Sequence, residues 1–197
     1  AIFTEGDIKH TAVIPIAGKN VTNDIRIGLR TSLDAAEEIK MSEGSLINYS
    51  EDDQKMISVP TVSDKPNMEI SKSSLTHIIT CRMDEILSLL IKEIESSGYS
   101  SSIRAGIVIT GGGSKLQGLD NYTENKYNIP VRIGSPKPIP GITNLSGLTR
   151  FSTAVGLLLY RDEQLKKMPH RKLPKNSFVT YLFKTWNKIS SYFHREL

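Results

Sequence analysis

The chain has 197 residues, 25 Lys and Arg against 21 Asp and Glu, 38% apolar and 23% charged side chains, and one cysteine, Cys81. That suits one domain or two small ones around a real core, and excludes collagen-like, mucin-like and largely disordered chains. A single cysteine excludes an intrachain disulfide framework and fits a reducing compartment. The scattered histidines form no pair at i,i+3 or i,i+4, which argues against a metal site, and no apolar run approaches the roughly 18 residues of a membrane span.

Ala1-Ile2-Phe3 reads as the middle of a strand, so the sequence is expected to be a piece of a longer one. Glu5-Gly6-Asp7 turns the chain between strands 1–4 and 8–16. The second of these alternates Ile8, His10, Ala12, Ile14 and Ile16 on one face. Residues 17–20 read as a loop, and Thr22 or Asn23 as the cap of a helix carrying Ile25 and Leu29. Thr31 or Ser32 caps the next helix, which carries Leu33, Ala36 and Ile39. The polar stretch 42–68 contains Pro60 and Pro66 and short strand candidates at 45–49 and 56–59. Ser71–Ser74 lead into a long helix, about 75–96, whose apolar positions Leu75, Ile78, Ile79, Met83, Ile86, Leu87, Leu90 and Ile94 keep a helical period. Cys81 is expected to pack at its flank.

Ile103–Thr110 reads as a buried strand running straight into Gly111-Gly112-Gly113-Ser114. A helix follows Gly118, then a strand at Val131–Gly134, a Pro-rich loop, and a last helix over about 148–160. Strands with intervening helices predict an α/β body.

The charge is uneven. Residues 166–197 hold eight basic side chains and one acid, +7, leaving 17 basic against 20 acidic in the body, or −3. A nucleic-acid-binding body is therefore not expected. Six of the 13 aromatics lie in 177–197. On a helical projection Phe178, Val179, Tyr181, Leu182, Phe183, Trp186, Ile189, Tyr192 and Phe193 fill one arc. Thr180, Lys184, Asn187, Lys188, Ser191, His194 and Arg195 fill the other. Aromatic residues and Leu opposite Lys and Arg, after a basic Pro-containing linker, have the composition of a helix lying in a membrane interface. A partner-docking or core helix is the alternative.

Three other groups could carry chemistry. Gly111–Gly113 remove every Cβ from a turn after a strand, which suits either close approach of a nucleotide phosphate or ribose, or a tight turn with no ligand. The spacing matches neither a dinucleotide fingerprint nor a P-loop. Glu37 and Lys40 share a helix face at i,i+3, as a solvated ion pair or as a carboxylate and ammonium reaching a ribose and base. Arg82 and Glu85 repeat that spacing on the long helix, as a surface pair or as an anchor for a partner peptide.

Several stretches together resemble the C-terminal half of the FtsA family of bacterial cell-division proteins, relatives of actin. They are Ile8-Lys9-His10-Thr11 through Ile14-Pro15-Ile16-Ala17-Gly18, Val21-Thr22-Asn23-Asp24-Ile25, and Gly28-Leu29-Arg30-Thr31 running to Ala36-Glu37-Glu38-Ile39-Lys40. Gly106-Ile107-Val108-Ile109-Thr110-Gly111-Gly112-Gly113-Ser114, Ala154-Val155-Gly156-Leu157 and the amphipathic tail complete the match, so that it covers essentially the whole chain.

The resemblance implies an α/β, actin-like (ribonuclease-H-like) second lobe, incomplete at its start. Residues 1–19 and 103–165 would be its lower subdomain, 20–102 an inserted α+β upper subdomain, 166–176 a basic linker and 177–195 the membrane-targeting helix. It implies ATP with magnesium for the whole family protein, and weak or no nucleotide binding for this stretch. The glycine-rich phosphate turn and the acidic residue that organises magnesium would precede Ala1. Gly111, Gly112, Gly113, Glu37 and Lys40 would be nucleotide contacts. Arg82 and Glu85 would meet the C-terminal peptide of the tubulin-like FtsZ. Phe178, Leu182, Phe183, Trp186, Ile189, Phe193, Lys184, Lys188 and Arg195 would meet anionic membrane. The implied role is a peripheral tether, on the cytoplasmic face of the membrane at the division site, that self-associates into filaments and holds the FtsZ ring. No catalytic set is legible, so this stretch is not expected to be an enzyme. The competing readings are another actin-like scaffold, such as a pilus-assembly relative, and a free-standing nucleotide-dependent enzyme.

Overall fold

The computed structural model describes residues 1–47, 55–61, 66–137 and 149–167. The chain divides into two units, Ala1–Gly156 and Leu157–Leu197. The 11 named elements below lie in the first, apart from most of the last helix, from Leu157 on.

Strands β1 (Ile2–Thr4) and β2 (Asp7–His10) form an antiparallel hairpin, pairing Thr4 with Asp7, Phe3 with Ile8 and Ile2 with His10. The expected strand over 11–16 is absent. Ile2 already pairs with His10, so residues beyond Thr11 extend past the end of the partner strand, and Pro15 removes a donor.

Helix α1 (Gly18–Leu29) starts five residues earlier than the Thr22 cap predicts, and residues 18–20 are its first turn rather than a loop. Ala17 N–H donates to Asn20 Oδ1 at 2.9 Å, so the orphan donor at the helix start is met from inside the first turn. Val21, Thr22, Ile25 and Leu29 form its buried stripe. Arg30 ends it in the left-handed region, φ 51°, and Thr31 N–H returns to Arg26 O at 3.1 Å. Helix α2 (Leu33–Glu43) begins at Ser32, whose Oγ accepts from Ala35 N–H at 3.2 Å.

Strands β3 (Met56–Val59) and β4 (Met68–Ser71) pair antiparallel. The candidate strand at 45–49 reduces, over its described residues, to one parallel bridge of Ser45 with Gln117. Helix α3 (Lys72–Ser96) follows directly, capped by Ser71. Leu75, Thr76, Ile79, Met83 and Leu87 are its buried positions. Leu75, Ile79 and Met83 pack with α1, α2 and β3 side chains in one cluster that includes Val21, Ile25, Leu29, Ala36, Ile39, Ile57 and Val59. Each large aliphatic fully removed from water contributes about 1.5–3 kcal/mol. Cys81 is exposed, because it lies on the side of α3 opposite that stripe; the expectation that it packs is corrected.

The expected strand 103–110 is mostly not a strand. Residues 100–105 coil as 3-10 turns, and only β5 (Ile107–Ile109) is extended. Gly106 causes the break. Its φ is +97°, and a Cβ there would lie 2.3 Å from Pro130 O. Among the described residues β5 has one neighbour, β6 (Val131–Ile133), in parallel register with Ile107 opposite Val131, and Val108 is 51% exposed rather than central. Helix α4 (Leu119–Tyr127) crosses between them, the right order for a βαβ unit. A 3-10 turn at Thr149–Phe151 leads into α5 (Ser152–Lys167).

Candidate functional site

The sequence places Glu37 and Lys40 on one face of α2, and the fold turns that face onto the first turn of α1. Lys40 Nζ donates to Glu37 Oε2 at 2.6 Å, to Thr22 Oγ1 at 2.8 Å and to Gly18 O at 3.3 Å. All three ammonium hydrogens are therefore engaged. Thr22 Oγ1 lies 3.1 Å from Gly18 O and also hydrogen-bonds Glu37 Oε2. Partial burial of Glu37 raises its pKa, but hydrogen bonds from Lys40 and Thr22 and the Lys40 charge outweigh it, leaving the carboxyl below its ordinary value. Lys40 is 17% exposed and Glu37 44%, so the carboxylate is the accessible member.

Gly111 has φ +94°, with open space where its Cβ would be, and the same space lies at Gly113. Ser114 is buried and its hydroxyl donates to Gly111 O at 2.8 Å, closing a 3-10 turn over Gly112–Lys115. A Cβ on Gly112 would touch that of Arg150 at 3.7 Å, so Arg150 borders the turn. Thr110 Oγ1 donates to Gly134 O at 2.7 Å and lies 2.7 Å from Ser152 Oγ, joining the β5 end to the start of α5. The turn thus has a rigid back and an open front.

Sequence reasoning gave no link between these two groups, and the structure supplies one. The Ser45–Gln117 bridge, with Leu46 N–H on Gln117 O at 2.9 Å, joins the residues after α2 to the segment after the glycine turn. Leu116 also approaches Gly44, 3.1 Å from where its Cβ would be.

Arg82 and Glu85 are adjacent on α3, as the spacing predicts, and Arg82 Nη1 donates to Glu85 Oε2. The residue the sequence did not reveal is Asp24. Arg82 donates Nε–H to Asp24 Oδ2 and Nη2–H to Oδ1, the latter at 2.9 Å, in a bidentate fork between α3 and α1. The Asp24 hydrogen bond raises the Arg82 pKa further above its ordinary value. A third cluster was also missed. Tyr122 O–H donates to Asp84 Oδ1 at 2.6 Å, and Lys126 Nζ reaches the same oxygen at 2.5 Å, tying α4 to α3. His10 Nε2 lies 2.8 Å from Glu93 Oε1, tying β2 to the far end of α3.

The predicted membrane residues Phe178, Leu182, Phe183, Lys184, Trp186, Lys188, Ile189, Phe193 and Arg195 lie outside the described residues. No helix among the described residues is long and apolar enough to cross a membrane.

The family model described as cell division protein FtsA matches residues 1–156. The chain belongs to the FtsA family. It is 45% identical over 160 residues to cell division protein FtsA of Pseudomonas aeruginosa, covering 81% of this chain and 38% of that protein. It is 37% identical over 191 residues to that of Borreliella burgdorferi, covering 96% of this chain and 45% of that protein. It is 35% identical over 170 residues to that of Escherichia coli K12, covering 83% and 40%. The chain thus spans roughly two fifths of the length of its FtsA relatives. Among solved structures, MreB5 of Spiroplasma citri bound to AMPPNP superposes with a TM-score of 0.65 at 22% identity, over 83% of this chain and 49% of that one. The same protein bound to ADP gives 0.60 at 21%, over 78% and 46%. The fold is accordingly a partial actin-like fold, as the FtsA resemblance implies, and the family assignment removes the pilus-assembly reading.

Proposed function

We propose that this stretch is the part of an FtsA-type scaffold that ties the FtsZ ring to the inner surface of the cell membrane at the division site. Family membership carries the reading, together with the amphipathic tail. The alignment with the Borreliella burgdorferi FtsA, at 96% of the chain, extends well into that tail. The body supplies protein contacts and the tail supplies the membrane contact. Filament formation brings many tails together.

The energetics make the anchor weak by itself. Half burial in lipid of Phe178, Leu182, Trp186, Ile189 and Phe193 would contribute about 1 kcal/mol each. Lys184, Lys188 and Arg195 add up to about 1 kcal/mol each near anionic lipid. Ordering the helix offsets several kcal/mol of this. One copy therefore attaches reversibly, and stable attachment requires many tails on one assembly.

Nucleotide binding belongs to the same reading. Glu37 faces the ribose and base, with Lys40 locking its carboxylate, and the open front of Gly111–Gly113 admits the nucleotide edge. These groups form one wall of a cleft, so the isolated chain binds ATP weakly and does not hydrolyse it, since hydrolysis needs triphosphate and magnesium clamped from both sides. Measurable magnesium-dependent turnover by the pure chain would refute this.

The FtsZ peptide contact is proposed at Glu85 and the outer edge of Arg82. Because Arg82 also grips Asp24, reversing its charge would set it against that carboxylate and disturb the fold. Glu85→Ala is the cleaner probe, and should weaken peptide binding about twofold to fivefold, as for an exposed ion pair. The whole reading is tested by adding a labelled FtsZ C-terminal peptide to anionic vesicles. The peptide should appear on the vesicles only when this chain is present; equal recruitment without the chain, or none with it, contradicts the tether.

A further inference from the structure

We propose that His77 and Cys81 form a surface binding site for one soft divalent transition-metal ion of the zinc class. Both residues lie in the interior of α3, one turn apart, on the face turned away from the core. Their side chains converge, with Sγ 3.8 Å from Nε2. Bond lengths of about 2.3 Å to sulfur and 2.0–2.1 Å to nitrogen at a near-tetrahedral angle place the two ligand atoms about 3.5–3.7 Å apart. The pair is therefore within a few tenths of an ångström of chelating geometry before any metal enters.

The helix frame is fixed where the pair sits. Thr76, Ile79 and Met83 are buried on the opposite side, so the spacing does not depend on a mobile loop. Both side chains are exposed, and neither makes another polar contact among the described residues. A thiolate with an imidazole selects zinc-like ions over magnesium or calcium, which prefer oxygen ligands. No third His, Cys, Asp or Glu completes a cluster among the described residues, so the remaining positions belong to water or to a partner's side chain. Counting histidine pairs alone passes over this mixed pair. Arg82 and Glu85 occupy the next turn, so a bound ion adds positive charge beside the surface proposed for the FtsZ peptide.

The test is a titration of the full, reduced chain with cobalt(II), followed by competition with zinc. One cobalt per chain should bind with sulfur-to-cobalt charge-transfer absorption that zinc abolishes. Cys81→Ser should remove the absorption, and His77→Ala should weaken cobalt binding roughly tenfold or more. Both positions are exposed, so unchanged circular dichroism verifies that each variant is folded. Absence of the absorption in the reduced wild type overturns the site. Cobalt affinity unchanged in His77→Ala overturns it as well, because the thiol would then be acting alone.

Discussion

Arg82 and Asp24 stand 58 positions apart, yet the guanidinium of one holds the carboxylate of the other, with Nη2 to Oδ1 at 2.9 Å. The fork fixes α3 against α1 and sets the outer edge of Arg82, with Glu85, toward solvent. Asp24→Asn should lower the thermal unfolding midpoint, and Glu85→Gln should lower it less, because Glu85 is 49% exposed and ties only to its own helix. Melts followed by circular dichroism at low and high salt check this, and the Asp24 effect should persist further into high salt.

The Asp84–Tyr122–Lys126 cluster predicts loss of stability at both ends of the pH scale. Burial raises the Asp84 pKa, but hydrogen bonds from Lys126 and Tyr122 and the Lys126 charge bring it below its ordinary value. Its contribution is therefore present above the ordinary carboxylate pKa and lost as pH falls through the lowered one. Burial and the Asp84 hydrogen bond raise Tyr122, and the Asp84 hydrogen bond raises Lys126. Those contributions are present below the ordinary values of about 10 and about 10.4, and are lost as pH rises through the raised ones. Denaturant titrations across pH should show Asp84→Asn flattening the acid limb and Tyr122→Phe reducing the alkaline one.

Core and surface aliphatics should separate cleanly. Ile79 is fully buried and Ile27 is 60% exposed. Ile79→Ala should cost about 2–5 kcal/mol through lost burial and a residual cavity. Ile27→Ala should stay within about 0.5 kcal/mol. Urea unfolding of the two variants measures the difference.

The parts of the fold written in local chemistry were legible. Ser32 and Ser71 announce helices because a side-chain oxygen meets an orphan amide within three residues. The aliphatic period of α3 and the glycine after β5 are equally local. Asp24 and Tyr122 were not legible, because their partners are separated from them by 58 and 38 positions and nothing near them marks the pairing. Strand β5 was overread for the same kind of reason. Its three aliphatics look central, but the close approach of Pro130 at Gly106 sets where it begins, and burial depends on how many strands flank it. Strand β4 was missed because Met68–Ser71 is short and merges with the cap of α3.

The proposed tether rests on Trp186, within the apolar arc that residues 178–193 form on a helical projection. Co-sedimentation of the chain with anionic vesicles, wild type against Trp186→Glu, is the most direct test. The wild type should pellet and Trp186→Glu should remain in the supernatant, with Lys184→Ala reduced but present and most affected at low salt. Pelleting of Trp186→Glu equal to wild type would mean that the tail does not hold the membrane.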